Sequence, residues 1–241
     1  IWPGASGGFA NESTRFTLYH VGMIFADATL REGLINSLTI ALGTTLIATI
    51  IALPLSVLSV KFDFPGKKAL SALILVPMIL PPFVGAIGIS QLLGRSGAIN
   101  ALLVQLGVID TGIDFIGRGG IWAIMAVEAL YLYPIIYLNA TAALANLDPA
   151  LEEAAENLGA GPWRRFRQIV LPLIRPGLFA GATIVFIWSF TELGTPLMFD
   201  FQIVTPVQIF NGIKEMEASK QPYALTAVML FSAIAFYALG R

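Results

Sequence analysis

Five apolar runs alternate with polar segments along the chain: Leu34–Val60, Leu70–Leu93, Ile121–Ala143, Pro176–Leu193 and Ala224–Leu239. The first holds 27 residues without a charge. A helix needs about 20 apolar residues to cross a bilayer, so this run spans with room to tilt. Residues 1–33 are mixed and polar, and predict an external lead-in with a short interfacial helix near residues 18–31. The pattern predicts an all-α membrane protein, with one transmembrane domain over 34–241 built from five visible spans. Threonines and serines in the first run (Thr44, Thr45, Thr49, Ser56, Ser59) are placed to bond their own helix or to line a helix contact.

Prolines interrupt the second run at Pro77, Pro81 and Pro82. Each removes a backbone donor and clashes with the preceding turn, so the helix is expected to break near mid-membrane. Broken backbone at that depth is tolerated only where protein or a water-filled cavity receives the freed carbonyls. The three prolines are therefore candidates for lining a pathway or gate, with a kink buried in helix packing as the alternative. Beyond them, Gly94–Gly120 reads as an external segment carrying a short amphipathic helix at Ala98–Val108, and Asp200–Tyr223 as a second external segment.

Composition agrees with this pattern. The chain is 56% hydrophobic and only 12% charged, about half the charge of a soluble domain, with mean hydropathy +0.79. A net charge of −1 gives no field that would attract nucleic acid. The absence of cysteine rules out disulfides and thiolate metal sites. The chain starts at Ile1 and ends at Arg241 directly after an apolar run, which reads as a piece of a longer polypeptide. Topology follows from the basic residues. With the turn Lys61–Lys68 placed inside, the polar stretch Leu147–Arg175 must also be inside, and these segments with Arg241 hold eight of the fourteen Lys and Arg.

Candidate chemistry is sparse. Nothing resembling a phosphate-binding G-x-x-x-x-G-K-[ST] loop surrounds Gly66-Lys67. One histidine, His20, cannot support a nucleophile or a metal cluster and reads as a surface residue. Glu128 and Glu192 are the two acids nearest hydrocarbon, where a carboxylate costs roughly 2.5–3.5 kcal/mol to insert. They are pathway or gate candidates, or alternatively a helix-to-helix bond at Glu128 and an interfacial cap at Glu192. Tyr131, Tyr133, Tyr137, Trp122 and Trp188 read as interfacial belt and packing.

The stretch Leu147–Arg175 is the longest that cannot sit in hydrocarbon. Asp148 is a good N-cap with Pro149 at the first helical position, and Glu152, Glu153 and Glu156 suit the helix dipole. Gly159 sits where a helix stops on a left-handed residue. Gly161-Pro162 restarts a second helix, which Pro172 and Pro176 are expected to end. The result is a helix–turn–helix between two spans.

Its spelling goes further. Glu153-Ala154-Ala155, three residues, Gly159, nine residues, Ile169, one residue and Leu171-Pro172 resembles the EAA motif of permeases of binding-protein-dependent ABC importers. Seven fixed letters match by chance at odds on the order of 10⁻⁸ per starting position. From about Asn36 onward, spans and loop order are similar to the type I, MetI-like permease core of this family. The resemblance implies that Glu153, Ala154, Ala155 and Gly159 dock on a cytoplasmic ATPase dimer, while Ile169, Leu171 and Pro172 anchor the loop to the next span. It places ATP and magnesium on that partner, with no cofactor or metal in this chain. It also implies a second permease half (the same chain, an identical copy or a paralogue), an extracytoplasmic substrate-binding protein, and the cytoplasmic membrane of a bacterium or archaeon. Phe190–Pro196 with Thr205–Val207 is similar to iron(III)-type permeases, neighbours of the thiamine and polyamine branches, and suggests iron(III) as substrate. A secondary transporter or channel with broken helices is the alternative class.

Overall fold

The structure is a computed structural model that describes residues 19–79, 82–114, 120–214 and 221–240. The lead-in to residue 18, Pro81, residues 215–220 and Arg241 lie outside the described residues. Every regular element among those described is helical.

A short α1 (Tyr19–Ala26) precedes α2 (Ala28–Lys61). The interfacial helix expected over 18–31 is thus divided, because Asp27 leaves helical geometry and caps α2: its Oδ1 accepts from the backbone N–H of Thr29 (2.8 Å) and Leu30 (3.1 Å). The first span begins at Ala28 and runs straight through the expected domain boundary at residues 33–34. On α2 most of the residues turned inward are small: Ser37, Ala41, Thr44, Ala48, Ala52 and Ser56 are buried, with Ile40 the large exception. Leu42, Leu46 and Ile50 are more than half exposed. A soluble helix does the reverse. Lipid is as apolar as leucine, so helices gain by close backbone approach and leave their bulk facing outward.

The second span breaks as its prolines require: α3 (Lys67–Leu75) gives way to a 3₁₀ turn, Val76–Ile79, and α4 (Pro82–Leu93) resumes. α5 (Ala98–Gln105) follows. It is tied down by buried Asn100, whose side chain donates to the carbonyls of Gly94 (2.9 Å) and Ile113 (2.7 Å) and accepts from the N–H of Ile113 (2.9 Å). α6 (Ile121–Ala145) is the central helix; 61% of its apolar window is buried, against 33% for α2. It carries Pro134 without breaking.

Beyond α6 come α7 (Pro149–Asn157), α8 (Pro162–Arg165), α9 (Leu171–Phe190), α10 (Gly194–Met198), α11 (Thr205–Lys214) and α12 (Gln221–Gly240). α8 and α9 are not separate helices ended by Pro172 and Pro176, as expected from sequence. A π-helical stretch, Phe166–Val170, joins them into one run from Pro162 to Phe190. The N–H of Leu171 reaches back five residues to the Phe166 carbonyl. This wider turn takes up the register where Pro172 has no N–H to give.

α9 lies close against α6. A methyl group on Gly181 would meet Ile136 Cα at 3.0 Å and Asn139 Cβ at 3.1 Å, and one on Gly177 would meet Ala143 Cβ at 2.7 Å. This Gly-x-x-x-Gly pair sets the spacing of the two helices.

Four stretches are long and apolar enough to cross a bilayer: Ala28–Lys61, Phe83–Gln105, Ile121–Ala145 and Pro162–Phe190. α12 adds a shorter apolar run, Pro222–Ala238. The five expected spans are thus four of full length plus one shorter helix. The second apolar window lies further along the chain than Leu70–Leu93, because the proline break shortens the helix before it.

Candidate functional site

The polar stretch between α6 and α9 folds from local signals. Asp148 Oδ1 accepts from the N–H of Ala150 at 2.9 Å, and Pro149 occupies the first turn of α7. At the other end Gly159 has φ +79°. Its N–H donates to Glu156 (2.8 Å), and the N–H of Ala160 donates to Ala155 (3.0 Å). This is the Schellman closure of a helix, and it accounts for the spacing from Ala155 to Gly159. Ala155 is the residue whose carbonyl receives the returning chain, and Gly159 is the residue that turns left-handed. Glu153, Ala154 and Asn157 are exposed, and Leu158 projects from the turn with 89% of its surface free.

Two ion pairs tie α7 to its surroundings. Lys61 Nζ, at the end of α2, donates to Glu152 Oε1 at 2.6 Å. Arg165 of α8 pairs with Glu156. Sequence reasoning found the acids but not these partners, which lie 91 and 9 residues away. In the turn next to Lys61, the Lys67 ammonium donates to Asp63 and holds its carboxyl below the ordinary range.

The root of the loop is apolar. Val170 and Ile174 are fully buried with Leu144, against Leu53, Val57, Phe166 and Leu171. Of the three expected anchors, Leu171 joins this cluster, while Ile169 and Pro172 are half-buried. Val170 and Ile174 were missed; their one-turn spacing was the available signal.

The pathway candidates separate. Glu128 is fully buried where α2, α6 and α9 meet, and it does not line the cleft beside the 3₁₀ break: Oε2 accepts from Thr44 Oγ1 (3.3 Å) and from Ser189 Oγ. Tyr133 and Tyr137 are packing residues rather than belt. Tyr133 donates to the Ile74 carbonyl and Tyr137 to Ser59 Oγ, each at 2.9 Å. Trp122 is 80% exposed. Glu192, Pro77, Met78, Tyr131, Leu132 and Trp188 line a cleft of about 80 Å³ beside the 3₁₀ break. Glu192 Oε1 accepts from the N–H groups of Gly194 (3.0 Å) and Thr195 (3.3 Å), so it caps α10 while it faces the cleft. Pro82 opens α4, and Pro81 falls outside the described residues.

Residues 44–240 match the family described as the inner membrane component of binding-protein-dependent transport systems. The chain belongs to this family. It is the permease subunit of an ABC importer, a multi-pass membrane protein, which removes the secondary transporter or channel as an alternative. The permease is 30% identical over 196 residues to the molybdenum transport system permease protein ModB of Haemophilus influenzae, covering 78% of this chain and 83% of that one. It is 28% identical over 206 residues to a probable sulfate transport system permease protein of Marchantia polymorpha, covering 83% and 69%. A putative ferric transport system permease protein of Haemophilus influenzae is 28% identical over 169 residues, covering 67% of this chain and 26% of the relative.

Among solved structures, a bacterial ABC transporter that imports the polysaccharide alginate superposes with TM-score 0.70 at 17% identity, covering 95% of this chain and 83% of that one. The MetNI methionine transporter superposes with TM-score 0.59 at 20% identity, covering 91% and 93%. The fold is MetI-like.

Proposed function

We propose that this permease passes a small tetrahedral oxyanion of the molybdate and sulfate class, handed over by an extracytoplasmic binding protein. The observation that carries the reading is the breadth of similarity. The molybdenum and sulfate relatives align over most of both chains, whereas the ferric relative aligns over a quarter of its own length. Among the described residues no basic side chain lines the cleft, so selection falls to the binding protein. The membrane passage then needs only to open. Iron(III) is the second reading, favoured by the Glu192 carboxylate on the cleft and by the ferric relative. The cognate binding protein, purified and characterised by native mass spectrometry and by calorimetry with molybdate, sulfate and ferric ion, distinguishes the two. Retention of ferric ion alone overturns the oxyanion reading.

The drive enters at α7. In this reading Glu153, Ala154, Ala155 and Gly159 form the knob that seats in a cytoplasmic ATPase dimer, and Ile169, Leu171 and Pro172 tie the loop to α9. Support comes from the exposed face of α7, its closed and capped turn, and the apolar root beneath it. ATP and magnesium reside on the ATPase, and a second permease half completes the passage. Closure of the ATPase dimer moves two such knobs, and the spans attached to them rock between inward and outward access. Glu153→Lys is expected to release the ATPase on co-purification. Full association and normal uptake in that variant would remove the docking assignment.

A further inference from the structure

α7 is joined by the chain to α6 and α9, but not to α2. Among the described ion pairs, Lys61–Glu152 is the one that reaches from the loop to a different span. Lys67–Asp63 closes its own turn, and Arg165–Glu156 stays within the loop. Both partners keep contact with solvent, with 27% of each side chain exposed, and Lys61 reaches both Glu152 oxygens. Surface ion pairs add about 0–1 kcal/mol to stability, so this contact is poorly explained as a fold-stabilising one. Its position is more telling.

Lys61 is the last residue of a 34-residue helix, which at 1.5 Å per residue is roughly 50 Å long. The far end of that helix is also strapped. Asn36 Nδ2 donates to the Ile203 carbonyl at 2.8 Å, the N–H of Thr205 donates to Ser37 Oγ at 2.9 Å, and Gln208 Nε2 donates to the Thr29 carbonyl at 2.8 Å. One continuous helix, unbroken at Pro54, is therefore gripped by α7 at one end of the bundle and by the start of α11 at the other. We propose that Lys61–Glu152 is a strut through which displacement of α7 is delivered along α2 to the opposite face, where the 203–208 segment sits. The same path runs in reverse when a binding protein presses on that face. Glu152 and Glu156 lie one turn apart on α7 and each has an ion-pair partner within this chain, whereas Glu153 is exposed and, in this reading, available to the ATPase. The strut rests on the reading of α7 as the docking knob.

The test uses the assembled importer in lipid vesicles, with MgATP and the cognate binding protein as isolated from cells. Lys61→Glu and Glu152→Lys are each expected to keep the ATPase bound. Stimulation of ATP hydrolysis by the binding protein is expected to fall by about fivefold or more, the lower end of coupling between distant sites. The double variant, with the charges exchanged, restores stimulation. Wild-type stimulation in both single variants, or no recovery in the double variant, overturns the strut. Glu153→Lys separates the two ideas. If it releases the ATPase while Lys61→Glu is silent, the strut alone fails. If it keeps both association and stimulation, the docking reading fails and takes the strut with it.

Discussion

Two glycines decide how closely α6 and α9 pack, and the consequence can be worked from their surroundings. An alanine Cβ at Gly181 lands 3.0 Å from Ile136 Cα and 3.1 Å from Asn139 Cβ, and one at Gly177 lands 2.7 Å from Ala143 Cβ and 3.1 Å from the Asn139 carbonyl oxygen. Carbon atoms rest at about 3.5–4.0 Å, so α9 must retreat by roughly half an ångström or more, and most of the atoms in its way are backbone or Cβ atoms that cannot swing aside. Overpacking of this kind costs about 1–3 kcal/mol. Against it stands the gain of up to about 1 kcal/mol when alanine replaces glycine inside a helix. With the full gain subtracted, the balance is a loss of up to about 2 kcal/mol for Gly177→Ala or Gly181→Ala. The double variant costs less than the sum, because one retreat relieves both clashes. Gly85 and Gly88 on α4 have nothing within 4 Å of an added methyl group, so Gly85→Ala and Gly88→Ala keep only the gain. Heating the detergent-solubilised protein and following its monodisperse elution reads the difference, at about 2–4 °C per kcal/mol for a chain of this size. If Gly181→Ala raises the midpoint as much as Gly88→Ala, the close approach of α6 and α9 is wrong.

Substitutions at two further positions test the loop and the buried acid. Gly159 has φ +79° and open space around it, so Gly159→Val costs about 1–2 kcal/mol from backbone strain alone. Gly159→Asn costs less, and co-purification of the ATPase should fall in the same order; equal retention by both variants would show that the left-handed turn is dispensable. Glu128 binds Thr44 and Ser189 through one oxygen, which Glu128→Gln preserves. Glu128→Leu should lower thermal stability by about 1–2 kcal/mol, the worth of hydrogen bonds between helices in a membrane, and a glutamine variant as unstable as the leucine one would refute this account.

What the chain itself determined is what depends on near neighbours. A run of 27 uncharged residues, three prolines within six positions, Asp148 before Pro149 and Gly159 closing a helix each act on backbone within a turn or two. The spans, the break beside the cleft and the capped loop were legible for that reason. The motif from Glu153 to Pro172 added the family, and the part of it from Ala155 to Gly159 meets the needs of one compact turn. Other features were decided only in three dimensions. Pro172 and Pro176 read as stops, yet a π-helical stretch upstream carries the helix through them. Asp27 reads as one polar residue inside an interfacial helix, yet it divides that helix and caps the span. Glu128 and Glu192 are alike in sequence, but one is locked among three helices and the other faces an opening. The ion pair between Lys61 and Glu152 joins residues 91 apart. The common cause is the solvent. In lipid, hydrophobicity drives a helix into the membrane without choosing its neighbours, so the choice falls to shape and to a few polar contacts. Those depend on surfaces from distant parts of the chain, and they exist only once the helices have met.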